Sequence, residues 1–414
     1  MNSRIDVLAV FLDVGLLIEN SAVFQSQVGD QLVTLAEQGY SVGLLAAVRD
    51  RAHFDQVAGE RLRRAGVELI LVPDSGFVRN LARMSWVLRR LVRSRDVRRA
   101  YVRGLWGAVV IGAAAFGARR LPYVFDVRGD LADELAASGT ASYKRKIYLG
   151  LERWGIRKAA AVSSVSSVLA GQVRQRHGVS HVSVVPCCVD PHAMTASDQE
   201  ARASRARIGV PDDDVILVYS GGLSHYQQVP AMLRLWRMLL NEDGVRFLLL
   251  TNDDPHSLPA AVGDLSMFGP RLTRLSLPRA AVPAMLAAAD IGFMMRDMRW
   301  LNRVASPVKF PEYLCAGLSI VGSPGTGDAS ALIERLGLGV LVDPTDLAPG
   351  AMIVRQLIRE RRTNRVALRS LARRAVAEHY DWKAQAPAFH HLYGPPVEDH
   401  SNATVPPARV AGGE

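Results

Sequence analysis

The chain has 414 residues and a formal net charge of +10, with 49% hydrophobic and 22% charged residues. This composition excludes a disordered, collagen-like or disulfide-stapled chain, and the length favours two or three domains. The three cysteines form no disulfide framework or metal-binding pattern, so a reduced, cytoplasmic protein is expected.

The first part of the chain alternates short apolar runs with longer amphipathic segments. The predicted strands are Ile5–Leu12, Ser41–Ala47, Val67–Val72, Ala100–Arg103, Tyr123–Val127, Ala160–Val165 and Val182–Val185. The predicted helices are Ser21–Gln38, Phe54–Ala65, Phe77–Arg95, Leu105–Ala118 and Ser142–Lys158. This alternation predicts a parallel sheet with helices on both faces, in a Rossmann-like domain over residues 1–189.

A second alternating series follows Asp190–Pro211, a polar segment with little apolar periodicity that is predicted to be a linker. The predicted strands are Val215–Tyr219, Arg246–Leu250, Asp290–Met294, Leu318–Gly322 and Val340–Val342. The predicted helices are Val229–Leu240, Pro283–Ala289, Phe310–Ala316, Ala329–Leu336 and Leu347–His379, the last with a break near Thr363. Residues 190–381 are therefore predicted to form a second doubly wound α/β domain.

The sequence predicts neither a secretory signal at Met1–Asp6 nor a membrane span in its longest apolar stretch, Leu105–Ala118. Met1–Asp6 lacks the pattern of a secretory signal, and Leu105–Ala118 is shorter than the roughly 20 residues that span a bilayer. A last helix is predicted over Trp382–Tyr393. The tail Gly394–Glu414, with four prolines and three glycines, is expected to be disordered.

Gly221 and Gly222 directly follow a predicted strand and precede a predicted helix. In open α/β sheets, ligands bind beyond the carboxyl ends of the strands, and paired glycines let the backbone approach an anion closely. The turn is therefore a candidate anion site, and an ordinary tight turn is the alternative.

Ser306 and Pro307 open a predicted helix on which Lys309 and Glu312, three residues apart, share one face. The lysine can neutralise a phosphate, and the carboxylate can accept hydrogen bonds from a sugar diol. A surface ion pair is the alternative, favoured by spacing alone. Only five of the 50 basic residues are lysines, and no other lies between Lys158 and Lys383, which favours the functional interpretation.

Cofactor chemistry is not predicted. The run Ser323–Ser330 begins like a dinucleotide-binding fingerprint, but it ends in serine and lies far from the first strand-to-helix turn of its domain. Since a phosphate-binding P-loop motif is also missing from the sequence, we expect neither a nicotinamide cofactor nor a P-loop nucleotidase.

The segment Asp126–Asp130, with Asp126, Arg128 and Asp130, ends a strand of the first domain, at the edge that faces any crevice between the domains. They could position an acceptor or stabilise transition-state charge, and an internal Asp–Arg pair is an equally weighted alternative. The long loop after the first strand holds Asp13, Gly15, Glu19 and Asn20, which could reach the same crevice.

Together these motifs resemble the family-4 glycosyltransferases (glycosyl transferases group 1) of the GT-B fold, over about residues 5–393. The resemblance is carried by Tyr219-Ser-Gly-Gly-Leu-Ser-His-Tyr-Gln227, Ala289-Asp-Ile-Gly292 and, most specifically, Asn302-Arg-Val-Ala-Ser-Pro-Val-Lys-Phe-Pro-Glu-Tyr-Leu-Cys-Ala-Gly317. It implies two Rossmann-like domains facing a cleft and a C-terminal helix that crosses back to the first domain. A nucleotide-sugar donor would lie on the second domain and a glycan or lipid-linked acceptor against the first, in cell-surface polysaccharide or glycolipid synthesis. Transfer with retention and without a metal is also implied.

The resemblance assigns site residues one by one. Glu312 matches the second glutamate of the family's E-x7-E motif, implying contact with the donor ribose, and Gly221 and Gly222 match the turn near the diphosphate. Val304 stands where the first glutamate is usual, and Gly222 and Gln227 stand where the family often has basic residues. Lys309, helped by Arg303, is the candidate replacement for these basic residues, which in the family contact the phosphates. The segment Asp126–Asp130 occupies the place of the family's N-domain histidine.

The segment Phe77–Arg95 holds six arginines and no acidic residue, with an apolar stripe at helical spacing. Its arginines could attract anionic headgroups, which predicts peripheral contact with the inner face of the plasma membrane. A core-packed helix with a solvated cationic side is the alternative.

Two other function classes are weighed against a glycosyltransferase. A non-catalytic GT-B-like module would bind a sugar nucleotide or scaffold polysaccharide assembly. This alternative is supported by Val304, which stands where the family has its first glutamate. A nucleic-acid binder is not expected, because no aromatic residues are interleaved with the arginines.

Overall fold

The computed structural model describes residues 4–12, 24–115, 120–254 and 265–396. Their strands form two parallel sheets. The first contains β1 (Ile5–Phe11), β2 (Val42–Val48), β3 (Glu68–Pro73), β4 (Val97–Arg103), β5 (Tyr123–Val127), β6 (Ala161–Ser164) and β7 (Ser183–Val184). The second contains β8 (Val215–Ser220), β9 (Val245–Leu250), β10 (Leu272–Leu275), β11 (Ile291–Met294), β12 (Ser319–Gly322) and β13 (Gly339–Leu341).

The two sheets have the same winding. The first has the order β3-β2-β1-β4-β5-β6-β7 and the second β10-β9-β8-β11-β12-β13. In each sheet the direction of winding reverses beside its first strand, between β1 and β4 and between β8 and β11. Ligands of doubly wound sheets bind in the crevice at this reversal.

Helices cover both faces of each sheet. In the first domain they are Gln25–Gly29 continued by Asp30–Glu37, Arg51–Phe54 continued through Asp55–Gly59 to Glu60–Arg64, Phe77–Ser94, Leu105–Ala114, Leu131–Ala137, Ser142–Lys158 and Ser167–His177. Beyond it they are Pro191–Met194, Asp198–Arg207, Val229–Met238, Val282–Ala287, Trp300–Arg303, Lys309–Cys315, Gly327–Leu336, Leu347–His379 and Ala386–Tyr393. Helix Leu347–His379 leaves helical geometry at Asn364, next to the predicted break.

Several elements were not predicted: strand β10 and the helices Leu131–Ala137, Ser167–His177 and Trp300–Arg303. The predicted linker also contains helix Asp198–Arg207, which a reciprocal capping box between Ser197 and Glu200 starts. Among its residues only Ala201 and Arg205 are buried, so the sequence shows no apolar stripe there. Its cap, rather than its periodicity, is the sequence signal for this helix.

The C-terminal helix returns to the first domain, as the resemblance implies. Trp382 and Phe389 are buried in the core of the first sheet, and the Tyr40 hydroxyl donates to the Gly394 carbonyl at 2.7 Å. Residues 397–414, most of the tail that was expected to be disordered, lie outside the described residues.

The carboxyl edges of the two sheets meet through specific polar contacts. Trp300 Nε1 donates to Asp130 at 2.8 Å, and Ser166 Oγ donates to the Val304 carbonyl at 2.7 Å. These contacts bring the loops after β5 and β6 against the segment that follows β11, so the ends of the strands border one cleft. Among the described helices, none combines the length and the apolarity that crossing a bilayer requires.

Candidate functional site

The glycine turn lies at the carboxyl end of β8. Gly221 has φ +136°, and a Cβ there would lie 2.5 Å from Lys309 Cε. The Ser220 amide donates to the Tyr313 hydroxyl at 2.8 Å, which ties the turn to helix Lys309–Cys315. The absence of a side chain at Gly221 therefore lets the lysine reach the turn.

Lys309 is held by neutral groups. Its Nζ lies 2.9 Å from both the Tyr219 hydroxyl and Gln227 Oε1, and 4.2 Å from the centroid of the Tyr219 ring. Burial, with Arg296 nearby, lowers the pKa of Lys309 to about 7. A desolvated lysine without a charged hydrogen-bond partner is suited to bind an anion, which would restore its charge.

Glu312 lies one turn further along the same helix. Burial raises the pKa of Glu312 to about 7, although Arg279 and Lys309 lower it, and Asp30 of the first domain adds to the increase. The carboxylate forms no hydrogen bond or ion pair with any part of the chain that the structure describes. The expected alternative, an ion pair with Lys309, is therefore not formed, and both oxygens are available to a ligand.

A cavity of about 260 Å³ lies beside the glycine turn. Its walls are the carboxyl ends of β8 and β9 and the segment after β10. Leu250, Leu277 and Val282 form the apolar lining, and Thr251, Asn252 and Asp253 form the polar lining, with Asp253 accepting from the Leu223 amide at 2.7 Å. The lining therefore combines three apolar side chains with polar groups that could orient a small organic ligand.

Arg296, which the sequence analysis missed, follows β11 directly. Its guanidinium donates to Asn302 Oδ1 at 3.2 Å and lies 5.4 Å from the centroid of the Tyr226 ring, while its buried Nε has no partner in the described structure. Burial lowers the pKa of Arg296. Its position at a strand's carboxyl end is the signal that could have found it.

Other predicted donor-side residues join the two domains. Ser306 Oγ accepts from the Cys187 amide at 2.9 Å, and Pro307 beside it is buried. Val304 is buried against the core of the first domain. Arg303 is exposed, with its guanidinium 5.3 Å from the centroid of the Trp300 ring.

The predicted first-domain carboxylates are both engaged. Asp126 accepts from the Tyr101 hydroxyl at 2.7 Å and from Ser163 Oγ at 2.8 Å, and it lies 3.6 Å from Arg128 Nε. Asp130 caps helix Leu131–Ala137, accepting from the Ala132 amide. Its remaining donors are Gln172, Arg176 and Trp300, at 2.6, 2.8 and 2.8 Å.

Burial raises the pKa of Asp130, but the hydrogen bonds to its carboxylate outweigh this and leave the pKa below its usual value. These contacts give both carboxylates structural partners. Asp13, Gly15 and Asn20, the predicted acceptor-side residues, lie outside the described residues.

Residues 25–188 match the family model described as a glycosyl transferase 4-like domain. No curated protein matches the chain. Among solved structures, HepE of Anabaena in complex with UDP and glucose is 18% identical, with a TM-score of 0.64 over 92% of this chain and 98% of its own.

Two further solved structures are similar over nearly their whole length. Sucrose-phosphate synthase of Thermosynechococcus elongatus is 14% identical, with a TM-score of 0.64 over 94% of this chain and 98% of its own. WaaG, a glycosyltransferase involved in lipopolysaccharide biosynthesis, is 13% identical, with a TM-score of 0.63 over 94% of this chain and 100% of its own. The chain therefore has the GT-B fold that its motifs imply.

Proposed function

We propose that this chain, a glycosyltransferase of the GT-B fold with a glycosyl transferase 4-like first domain, moves a sugar from a nucleotide diphosphate donor to a glycan or lipid-linked acceptor. One observation carries the proposal: Lys309 reaches Gly221, and the carboxylate of Glu312 on the same helix has no hydrogen-bond or ion-pair partner among the described residues. This arrangement offers one cation and one acceptor of hydrogen bonds about one helical turn apart.

In this proposal Glu312 accepts hydrogen bonds from the donor ribose hydroxyls, and the backbone at Gly221 and Gly222 approaches the diphosphate. The base enters the cavity beside Leu277 and Val282. Lys309 supplies counter-charge to the diphosphate, and Arg296 supports it, because its partly unpaired guanidinium lies beside Lys309. UDP is the first nucleotide to test, since HepE is described in complex with UDP and with UDP-glucose.

The proposed reaction needs no metal and retains the anomeric configuration. The bond from the sugar's anomeric carbon to the diphosphate oxygen breaks, and a bond to the acceptor hydroxyl oxygen forms on the same face. The proton of that hydroxyl passes to the departing diphosphate. Lys309 and Arg296 stabilise the charge that develops on the diphosphate, and domain closure aligns the two substrates.

We also propose that the first domain contacts an anionic membrane surface through two helices. Helix Phe77–Ser94 exposes Trp86, with Arg90 5.7 Å from its ring, while Met84 and Leu88 pack inward. Helix Ser142–Lys158 exposes its own apolar and cationic side chains, Tyr143, Lys144, Lys146 and Ile147. Both helices pack on helix Leu105–Ala114, so aromatic and cationic groups occupy one side of the domain. This side would serve a lipid-linked acceptor.

A thermal-shift series with UDP-, GDP-, ADP- and dTDP-sugars, followed by an assay of donor hydrolysis, tests the proposal. One nucleotide sugar should raise the Tm, because a ligand that binds only the folded state stabilises it. Binding with neither hydrolysis nor transfer would favour the alternative of a non-catalytic module. Failure of every nucleotide to bind would contradict both interpretations.

A further inference from the structure

Arg103 is the last residue of β4, the strand that lies beside β1 where the first sheet reverses its winding. Its partner in the ladder is Asp126 at the end of β5. The side chain is half-buried at the carboxyl edge of the sheet, which borders the cleft. This is the position at which doubly wound sheets bind ligands.

The guanidinium of Arg103 has no hydrogen bond or ion pair with any residue that the structure describes. Burial and the neighbouring Arg128 lower the pKa of Arg103, while Tyr101, Asp126 and Cys187 act in the opposite direction. Both arginines are thus close to Asp126, but of the two only Arg128 forms hydrogen bonds with the described residues, through its two terminal nitrogens.

Arg128, in contrast, forms three hydrogen bonds with neighbouring groups. It donates to the Val185 carbonyl at 3.3 Å, to Gln27 Oε1 at 3.2 Å and to Cys187 Sγ at 3.3 Å. Its Nε also lies 3.6 Å from Asp126.

The Asp126 carboxylate accepts from the Tyr101 and Ser163 hydroxyls and lies 3.6 Å from Arg128, so among the described residues its one negative charge is paired with Arg128, and Arg103 has no ion-pair partner. A half-buried cation without a partner is unfavourable unless a ligand completes the pair.

We infer that Arg103 binds a phosphate group of the acceptor. This inference rests on the proposed function, in which Lys309 and Arg296 of the second domain take the donor diphosphate. Arginine matches phosphate because its planar fork donates two parallel hydrogen bonds. Cys187 lies near both Arg103 and Arg296, so the two anion subsites border the same cleft from opposite domains.

The test titrates glucose 6-phosphate, with glucose as the uncharged control, into protein saturated with UDP, by isothermal calorimetry. A second arm replaces the sugar phosphate with undecaprenyl phosphate in phosphatidylcholine vesicles, to separate a soluble from a lipid source of the phosphate. Arg103→Gln should weaken phosphate binding at least tenfold in one arm, and Arg103→Lys should weaken it less. Arg174→Gln, an exposed arginine of the same domain, is the matched control and should leave it unchanged.

Unchanged phosphate affinity in Arg103→Gln in both arms would overturn the inference, as would phosphate that competes with UDP. Normal UDP affinity of Arg103→Gln shows that the variant is folded. Loss of UDP binding would mean that Arg103 acts in donor binding or in folding, and would also overturn the inference. If the wild-type protein binds neither UDP nor any other nucleotide of the thermal-shift series, the proposed function has failed. Phosphate titrated without nucleotide then still reports on Arg103.

Discussion

Lys309 Nζ lies 2.6 Å from the point that a Cβ on Gly221 would occupy. The two residues are far apart in sequence, yet the fold leaves room for only one of these side chains. The lysine is thereby held at the end of β8, where a glycine turn and a cavity meet. The first prediction follows from this contact.

Gly221→Ala should weaken donor binding at least tenfold, because the new methyl group must displace Lys309. The left-handed backbone adds a strain of about 1–2 kcal/mol. Gly66→Ala is the matched control, since Gly66 has φ +84° and no atom within 4 Å of the added Cβ. Both variants should lose stability in thermal unfolding, and only Gly221→Ala should lose nucleotide affinity in calorimetry. If the two variants bind the nucleotide with equal affinity, Lys309 does not contact the donor.

Glu312→Ala should abolish measurable donor binding or weaken it by about 10- to 100-fold, as expected for the loss of charge-assisted hydrogen bonds of about 1.5–3 kcal/mol. The variant should fold, because no described residue depends on this carboxylate. Glu334→Ala, at an exposed position of helix Gly327–Leu336, is the control. Full transferase activity of Glu312→Ala would refute the assigned ribose contact.

Nucleotide affinity should be highest near pH 7. The pKa of Lys309 is lowered to about 7, so its charge and the affinity decline above that pH. The pKa of Glu312 is raised to about 7, so its ionised form and the affinity decline below it. Calorimetric titration of UDP at a series of pH values should give a bell-shaped profile, and Glu312→Gln should remove its acidic limb. A profile that stays flat from pH 5 to 9 would contradict this.

The same pKa values predict opposite effects on folding stability. Glu312 binds its proton more tightly in the folded chain, so its contribution becomes less favourable as the pH rises from about 4.5 to 7. Lys309 holds its proton less tightly when folded, so its contribution improves between about pH 7 and 10.5. In urea unfolding, the free energy of unfolding of Glu312→Gln should rise relative to the wild type as the pH increases from about 4.5 to 7. That of Lys309→Met, which lacks the buried charge, should fall relative to the wild type as the pH increases from about 7 to 10.5.

Arg296→Gln should lower kcat/KM by about 10- to 100-fold, because a charge-assisted contact to phosphate contributes about 1.5–3 kcal/mol. Arg303→Gln should change it by less than about twofold, since the exposed guanidinium of Arg303 lies over Trp300. The comparison needs an identified donor and can use its hydrolysis if the acceptor is unknown. A larger effect at Arg303 would favour the role that the sequence predicts for it.

Lys144→Gln/Lys146→Gln should weaken binding to vesicles that contain phosphatidylglycerol, because each cation near the surface contributes about 1 kcal/mol. Arg359→Gln/Arg374→Gln removes the same charge from exposed positions on helix Leu347–His379 and should leave binding unchanged. Co-sedimentation with phosphatidylglycerol and with phosphatidylcholine vesicles measures both. If both double variants lose the same amount of vesicle binding, the overall positive charge of the protein, and not this surface, accounts for the binding.

The sequence predicts the part of the site that uses rare residues at short spacing. Gly221, Lys309 and Glu312 could be found because a glycine pair follows a strand and a lone lysine opens a helix. Arg296 and Arg103 share a position near the carboxyl end of a strand, but this signal alone does not distinguish them in a chain whose basic residues are nearly all arginine. Their significance depends on which nearby carboxylates and hydrogen-bond acceptors are already paired with other side chains, and only the three-dimensional packing determines that.

Asp126 and Asp130 show the reverse case. Their pattern suits catalysis as well as it suits loop closure, and spacing cannot count the donors that reach a carboxylate. In the folded chain Asp130 receives hydrogen bonds from three side chains, one of them on the opposite domain. Such long-range partners are invisible in local sequence.

The return of the C-terminal helix has a mechanical consequence. The chain passes between the lobes twice, and the two passages lie side by side, with the Val189 amide 2.9 Å from the Tyr380 carbonyl and the Trp382 amide 3.3 Å from the Val189 carbonyl. Because two paired backbone segments connect the domains, we expect domain opening and closing to turn about this pair and to break and re-form the hydrogen bond between Trp300 and Asp130.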